Sequence, residues 1–354
     1  MRRPLHHWPL FLGLVLASLS DLVAPAAAQT VGATLADAAT PVDTVAEERL
    51  AVPTADGPAE IPVALSQDWD RPRHAVARAV VVIHGVRRNA EAYLRIATRA
   101  REEAGALPST TLLIAPQFLT FADAGARGVA PSVLRWRGSG WMSGAAAVSP
   151  SGVSSFAVLD ALLARLADPQ GFPALRQVVI AGHSAGAQLV QRYAAVGRGD
   201  AALASRGITI RYVVANPSSY LWFGDERPRP APAGTCPQAL RWKYGLANAP
   251  PYVQGDPAEI EARYLARDVV YLLGEADTDP EHRFLDRSCA AMTQGETRFA
   301  RGMQFMYWLE LRHPAQVHHL VVALPGIGHD AARVFASPCG LAALFERPGC
   351  RGLR

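Results

Sequence analysis

Cysteine is scarce in this sequence, and the spacing that binds zinc is absent. The chain has only four cysteines, which are Cys236, Cys289, Cys339 and Cys350. None of them forms the close pairs that structural zinc sites use. We therefore predict no metal ligand, and no other motif indicates a cofactor.

Clusters of basic residues and internal repeats are also lacking, although the formal net charge is +4. The densest basic stretches, 71–74 and 87–88, are short, which is typical of solvated surface rather than of a nucleic-acid interface. We therefore expect no nucleic-acid partner. Half of the residues are hydrophobic, which is enough for a large core.

Long apolar runs occur only at the start of the chain. Arg2 and Arg3 precede an apolar core at 8–17, and the alanines 26–28 follow it. This order of charged, apolar and small residues is typical of a secretory signal peptide, here 1–28. We expect an exported protein, periplasmic or extracellular, with no stable membrane insertion after signal removal. The arginine pair leaves the export route open.

The rest of the chain alternates between strand and helix patterns. We predict a flexible leader at 29–44, one domain at 45–354, and an antiparallel strand pair, 49–52 with 61–65, that turns at Asp56-Gly57. The stretch 117–155 shows no regular pattern. Further strands are predicted at 79–83, 110–115, 177–181, 208–215, 268–273 and 319–324, and helices at 89–104, 156–167, 187–195 and 330–336. This alternation predicts an α/β fold, with a mostly parallel sheet flanked by helices.

The motif Gly182-His183-Ser184-Ala185-Gly186 lies between a predicted strand and a predicted helix. A strand, a sharp turn and a helix around G-x-S-x-G are the context of a nucleophile elbow. So tight a turn strains the backbone of Ser184 and exposes its hydroxyl. It also brings the flanking segments so close that Gly182 and Gly186 cannot carry side chains.

A serine hydroxyl needs a base to remove its proton, and the base needs a partner that orients it. Asp277 follows the strand at 268–273, and His329 follows the strand at 319–324, both after Ser184 in chain order. Other carboxylates remain possible in the role of Asp277: the neighbouring Glu275 and Asp279, and the remote Asp225.

Four features in this order resemble the α/β-hydrolase superfamily: a strand before His84-Gly85-Val86, Gly182-x-Ser184-x-Gly186, Gly274-x-x-Asp277 and Gly328-His329. Within it, the signal peptide and even cysteine count are similar to secreted esterases and polyester depolymerases. The resemblance implies a triad of Ser184 as nucleophile, His329 as base and Asp277 as its orienting acid. It also implies an oxyanion hole from the N–H groups of Ala185 and Val86, with Arg87 as an alternative to Val86.

Two further features concern the substrate site and the cysteines. The segment 220–267 is too long for an ordinary connection and is rich in aromatic residues, which predicts a cap insertion over an apolar acyl or aromatic substrate. Such rings can instead anchor a long loop to the body. Of three possible disulfide pairings, we favour Cys339–Cys350 with Cys236–Cys289.

The sequence thus favours a secreted serine hydrolase that cleaves carboxylic esters, small or polymeric, through an acyl-enzyme. An acyltransferase or a peptidase could use the same triad. A third hypothesis is a non-catalytic binding protein, because fold alone does not determine function.

Overall fold

The computed structural model describes residues 40–54, 57 and 59–351. The predicted signal peptide at 1–28, most of the predicted leader at 29–44 and the turn residue Asp56 lie outside these residues. The described part of the leader, 40–44, packs against the body of the protein. Val42 is buried, and its N–H donates to Asp123 Oδ1 at 2.8 Å.

The strands form one large sheet and two small ones. The twelve strands among the described residues are β1 (Glu48–Val52), β2 (Ala59–Leu65), β3 (Arg78–Ile83), β4 (Thr111–Pro116), β5 (Leu119–Thr120), β6 (Arg135–Trp136), β7 (Ala146–Val148), β8 (Ser151–Ser154), β9 (Gln177–His183), β10 (Thr209–Ala215), β11 (Asp268–Gly274) and β12 (Leu320–Leu324). The large sheet has the order β1-β2-β4-β3-β9-β10-β11-β12. Within this large sheet, only the β1–β2 and β2–β4 pairs are antiparallel, so the predicted antiparallel pair and the mostly parallel sheet are confirmed.

Helices cover both faces of this sheet. The α-helices among the described residues are α1 (Ala90–Ala104), α2 (Phe121–Arg127), α3 (Ser155–Leu166), α4 (Ala185–Val196), α5 (Asp200–Ala204), α6 (Pro257–Leu265), α7 (Cys289–Met292), α8 (Arg298–Arg312), α9 (Ala331–Ala336) and α10 (Pro338–Phe345). None of them has the length and apolarity that crossing a membrane would require.

One apolar core lies on each face of the sheet. On β3, Ala79, Val81 and Ile83 enter the core under α3, α4 and α8, whereas Val80 and Val82 enter the core under α1, α9 and α10. This alternation explains why β3 reads as an unbroken apolar run, since a central parallel strand is buried on both sides.

Several elements were not predicted from the sequence. The stretch 117–155 contains α2 and the short strands β5 to β8, and α5, α6, α7, α8 and α10 are additional helices. On α8, the buried face carries Arg298 and Arg301, while Met303, Tyr307 and Leu311 are exposed. The usual apolar periodicity is therefore partly inverted, so the sequence pattern does not predict this helix.

Both favoured disulfides are present. Cys236 pairs with Cys289, and Cys339 pairs with Cys350. The first connects the 220–267 insertion to α7, and the second connects α10 to Cys350, in the segment that follows this helix. Cross-links of this kind stabilise a protein largely by restricting the unfolded chain.

The elbow at Ser184 has the predicted backbone. β9 ends at His183 and α4 begins at Ala185, so Ser184 alone makes the turn, with φ 59° and ψ −116°. A Cβ at Gly182 would lie 2.3 Å from the backbone carbon of Gly186, and a Cβ at Gly186 would lie 2.3 Å from the carbonyl oxygen of Ile83. Both glycines are therefore required by backbone contact.

This contact predicts a large stability difference between two glycine substitutions in helices. We expect Gly186→Ala to lower the free energy of unfolding by roughly 3 kcal/mol or more, because the clash is with backbone that cannot rotate away. Gly125→Ala is the matched control: it meets no atom within 4 Å and should raise stability by about 0.5–1 kcal/mol. Urea unfolding of both variants measures the difference, and equal midpoints would contradict the packing described here.

Candidate active site

Three side chains meet where β9, β11 and β12 end. Ser184 Oγ donates to His329 Nε2 across 3.0 Å, and His329 Nδ1 donates to Asp277 Oδ2 across 2.7 Å. Because parallel strands end at the same edge of the sheet, residues far apart in sequence come together there. The structure thus joins Ser184, His329 and Asp277 in one hydrogen-bonded chain.

The alternative carboxylates lie elsewhere. Glu275, Asp279 and Asp225 are all exposed, and Asp279 accepts a hydrogen bond from the Glu281 N–H at 2.9 Å. Asp277, by contrast, is 3% exposed. The carboxylate that holds the His329 imidazole is therefore that of Asp277.

Close backbone approach brings the loops of Asp277 and His329 together. A Cβ on Gly274 would lie 2.4 Å from the carbonyl oxygen of Ile327, so this position also requires glycine. Asn216, at the end of β10, ties the two loops: its Oδ1 accepts from the Gly274 N–H at 2.8 Å, and its Nδ2 donates to the Gly328 carbonyl at 3.1 Å. Sequence analysis missed Asn216, although a polar residue directly after a buried strand was the available signal.

Arg298 was also missed, and it contacts the acid directly. Its Nη1 lies 3.3 Å from Asp277 Oδ1, its Nε donates to Ser218 Oγ at 2.9 Å, and its Nη2 lies 3.2 Å from His282 Nδ1. Both partners of the ion pair are almost completely buried. A buried carboxylate paired in this way keeps its second oxygen free to hold the imidazole.

The surroundings keep His329 neutral at ordinary pH. Burial and the positive charge of Arg298 hold the pKa of His329 well below its ordinary value, and the nearby His282 acts in the same direction. The rings of His183 and His282 lie 4.5 and 5.1 Å from the His329 ring. Burial raises the pKa of Asp277, an effect that the charge of Arg298 opposes. A neutral imidazole beside a hydroxyl can accept its proton.

The loop after β3 fixes the direction of the peptide group between Gly85 and Val86. The Gly85 carbonyl accepts from His84 Nδ1 at 2.8 Å and from the Arg88 N–H at 3.0 Å. In a trans peptide the C=O and N–H point in opposite directions, so the Val86 N–H faces away from these donors. Val86 lines the cavity next to Ser184, as does Ala185, the first residue of α4.

His84 is a structural residue of this loop. Its Nε2 accepts from the Phe118 N–H at 3.0 Å, so Nδ1 carries the proton that it donates to Gly85. Burial lowers the pKa of His84 to about 4, so the ring stays neutral. The predicted alternative to Val86, Arg87, has an exposed side chain.

A cavity of about 210 Å³ opens beside Ser184. The lining exposes more apolar than polar surface to the cavity; it includes Val86, Ala185, Met142 and Phe284, and the insertion contributes Lys243 and Tyr244. Other aromatic residues of the insertion lie outside the lining: Trp222, Phe223, Trp242 and Tyr252. Trp222 is buried against Phe305 and Trp308.

The insertion's rings therefore serve mainly as anchors. Trp242 Nε1 donates to the Ser143 carbonyl at 2.7 Å, and Tyr252 donates to Asp160 Oδ2 at 2.7 Å. Because these rings lie outside the cavity lining, they do not test the expectation of an apolar acyl or aromatic substrate, which stays a prediction. In the described part of the chain, no group of three or more histidine, cysteine or acidic side chains is arranged to hold a metal ion.

Comparison with known proteins rests on structure alone, since no family model and no curated protein matches this chain. A poly(aspartic acid) hydrolase from Sphingomonas sp. KT-1 is 23% identical with a TM-score of 0.58, over 86% of this chain and 99% of that one. A poly(3-hydroxybutyrate) depolymerase from Bordetella parapertussis is 22% identical with a TM-score of 0.58, over 86% of this chain and 93% of that one. With its central mostly parallel sheet and flanking helices, the chain has the α/β-hydrolase fold.

Proposed function

We propose that this protein is a serine hydrolase that cleaves carboxylic esters through an acyl-enzyme. The observation that carries the proposal is the hydrogen-bonded chain from Ser184 through His329 to Asp277, with Ser184 at the strained turn between β9 and α4. Strain at a single residue beside a general base is a property of functional sites.

Each residue of this chain has a defined role in the proposal. Ser184 Oγ attacks the ester carbonyl while His329 Nε2 takes its proton, and His329 then donates that proton to the leaving alkoxide. Asp277 holds the imidazole with Nδ1 protonated and stabilises the imidazolium. Water, activated by His329 in the same way, hydrolyses the acyl-enzyme and regenerates Ser184.

The N–H groups of Ala185 and Val86 are proposed to receive the oxyanion. Ala185 opens α4, where the first N–H groups have no partner within the helix and the helix dipole favours negative charge. Val86 contributes its N–H because His84 and Arg88 hold the preceding carbonyl on the opposite side. Donors that are already oriented stabilise the developing charge without reorganisation.

The proposal extends to export and to the substrate. Two disulfides fit an oxidising compartment, which agrees with the predicted signal peptide. Two structurally similar proteins are, by name, a hydrolase and a depolymerase of polymers, so we include polymeric esters among the substrates. The insertion 220–267 shapes the site through Lys243 and Tyr244.

Replacing the nucleophile tests the proposal directly. Ser184→Ala should lower kcat/KM for 4-nitrophenyl esters by a factor on the order of 10⁴ or more, because no other group can form the acyl-enzyme. The melting temperature should stay close to that of the parent. Ser205→Ala, at an exposed helix end, is the control and should keep full activity. Retention of most activity in folded Ser184→Ala would refute a serine hydrolase.

The acid can be tested by comparing two neighbouring aspartates. Asp277→Asn should lower kcat by a factor on the order of 10³–10⁴, because an amide supports the wrong imidazole tautomer. Asp279→Asn removes an exposed carboxylate and should change kcat by less than about threefold. Steady-state kinetics at pH 8 distinguishes the two roles. Similar losses in both variants would show that Asp277 does not orient His329.

The charge of Arg298 should influence the pH at which activity is lost. The low pKa of His329 keeps the base unprotonated at neutral pH, so kcat/KM should fall only as the pH drops through that pKa. Arg298→Met removes a positive charge that lowers this pKa. The acidic limb of the pH profile of kcat/KM should therefore move to higher pH. Arg298→Lys retains the charge and should move the limb less.

This comparison separates a positioning role from general damage. A loss of kcat without movement of the acidic limb in Arg298→Met would mean that Arg298 acts only through packing. Melting temperatures of both variants control for stability, because an unpaired buried carboxylate costs about 3–5 kcal/mol.

A further inference from the structure

The cavity beside Ser184 contains the only lysine of the chain. Lys243 is one of 35 basic residues, and all the others are arginine. Its Nζ lies 3.3 Å from Asp286 Oδ2, on the cavity wall. Asp286 also accepts from the Tyr244 hydroxyl at 2.6 Å and from the Ser288 N–H at 3.1 Å. Lys243 therefore forms an ion pair with Asp286 and shares its carboxylate with Tyr244 and Ser288.

Two buried arginines add positive charge directly behind the cavity wall. Arg192 donates to the carbonyls of Lys243 at 3.1 Å and Gln188 at 3.0 Å, and Arg301 donates to the Ser218 carbonyl. Neither guanidinium has a carboxylate within ion-pair distance in the part of the chain that the structure describes. Burial lowers the pKa of Arg192 and of Arg301 to about 10, so both remain charged at neutral pH.

Further arginines lie next to Phe284 or in the lining itself. The ring of Phe284, part of the lining, has the guanidinium of Arg283 at 4.4 Å and that of Arg87 at 5.8 Å. Arg287, also part of the lining, pairs with the exposed Glu281. On or behind the cavity wall, Lys243, Arg192 and Arg301 face one carboxylate, that of Asp286. Charge of one sign in a cleft with low-dielectric walls attracts ligands of the opposite sign.

We propose that this cavity selects esters that carry a carboxylate, with Lys243 as the specificity-determining residue that faces it. The inference rests on the proposed ester hydrolysis at Ser184. At about 210 Å³, below the usual range for ligand pockets, the cavity suits a short acid rather than a long acyl chain. A monoanion is favoured over a dianion, because Asp286 on the same wall would repel a second negative charge.

A matched pair of substrates tests the selection. Mono-4-nitrophenyl glutarate carries a carboxylate, and 4-nitrophenyl glutaramate has a neutral carboxamide of the same shape in its place. We expect kcat/KM to be at least about tenfold higher for the glutarate, near the low end of what a close charge pair contributes. Raising the salt to about 1 M should shrink this ratio, because the screening length falls to about 3 Å.

Variants assign the ratio to Lys243. Lys243→Gln should lower the glutarate to glutaramate ratio by about tenfold, whatever happens to the absolute rates. Arg211→Gln is the matched control, since it also removes one positive charge. Arg211 lies on β10 near the amino-terminal ends of the parallel strands, away from Ser184, and pairs with Asp268. The glutarate to glutaramate ratio of the Arg211→Gln variant should equal that of the parent. A parent ratio near one, or a ratio that Lys243→Gln leaves unchanged, would overturn the proposal.

The single lysine allows a second test that does not depend on hydrolysis. Acetylation by an amine-reactive reagent, followed by mass spectrometry of the peptide that contains Lys243, reports how accessible this amine is. Free glutarate should slow the modification at concentrations where glutaramide does not. Equal protection by both compounds, or by neither, would overturn the carboxylate site.

The two proposals can fail separately. If both esters are hydrolysed through Ser184 at the same rate, ester hydrolysis stands and the carboxylate selection falls. If neither ester is hydrolysed, the proposed function fails for these substrates, and protection of Lys243 by glutarate still decides whether the cavity binds a carboxylate.

Discussion

The close approach of backbone at the ends of the central strands is the constraint on which the site depends. The first turn of α4 lies against β3 because Gly182 and Gly186 have no side chains, and β11 meets the loop of His329 because Gly274 has none. Each contact is between main-chain atoms, which cannot move aside as a side chain can. The positions of Ser184 and His329 are therefore set by the sheet itself rather than by flexible loops.

Around this frame, buried ion pairs hold neighbouring groups in fixed orientations. Asp277 is held between His329 and Arg298, and the Gly85–Val86 peptide is held by a loop that the Arg88–Asp123 ion pair anchors, with Nε and Oδ2 at 2.7 Å. Buried ion pairs contribute little net stability compared with apolar packing. Here both lie directly behind groups that must keep a fixed direction for the proposed chemistry.

The insertion combines two roles in neighbouring residues. Most of its aromatic side chains pack into the body, as Trp222 does against Phe305. Lys243 and Tyr244 instead reach the cavity and share the Asp286 carboxylate. Rigid anchoring on one side gives the polar residues on the other side defined positions, which lowers the entropy lost when a ligand binds.

The sequence by itself determined the sheet, the elbow and the residues Ser184, Asp277 and His329 as candidates. These depend on local signals: apolar runs, glycine spacing and the order of polar residues after strands. Only the tertiary structure decided between Asp277 and its exposed neighbours, and revealed Asn216 and Arg298. Arg298 lies on α8, whose buried arginines and exposed Met303 and Tyr307 invert the usual pattern. The polar residue after β10 was a local signal for Asn216, but Asn216 and Arg298 bind groups from distant parts of the chain, so no local pattern could indicate their partners.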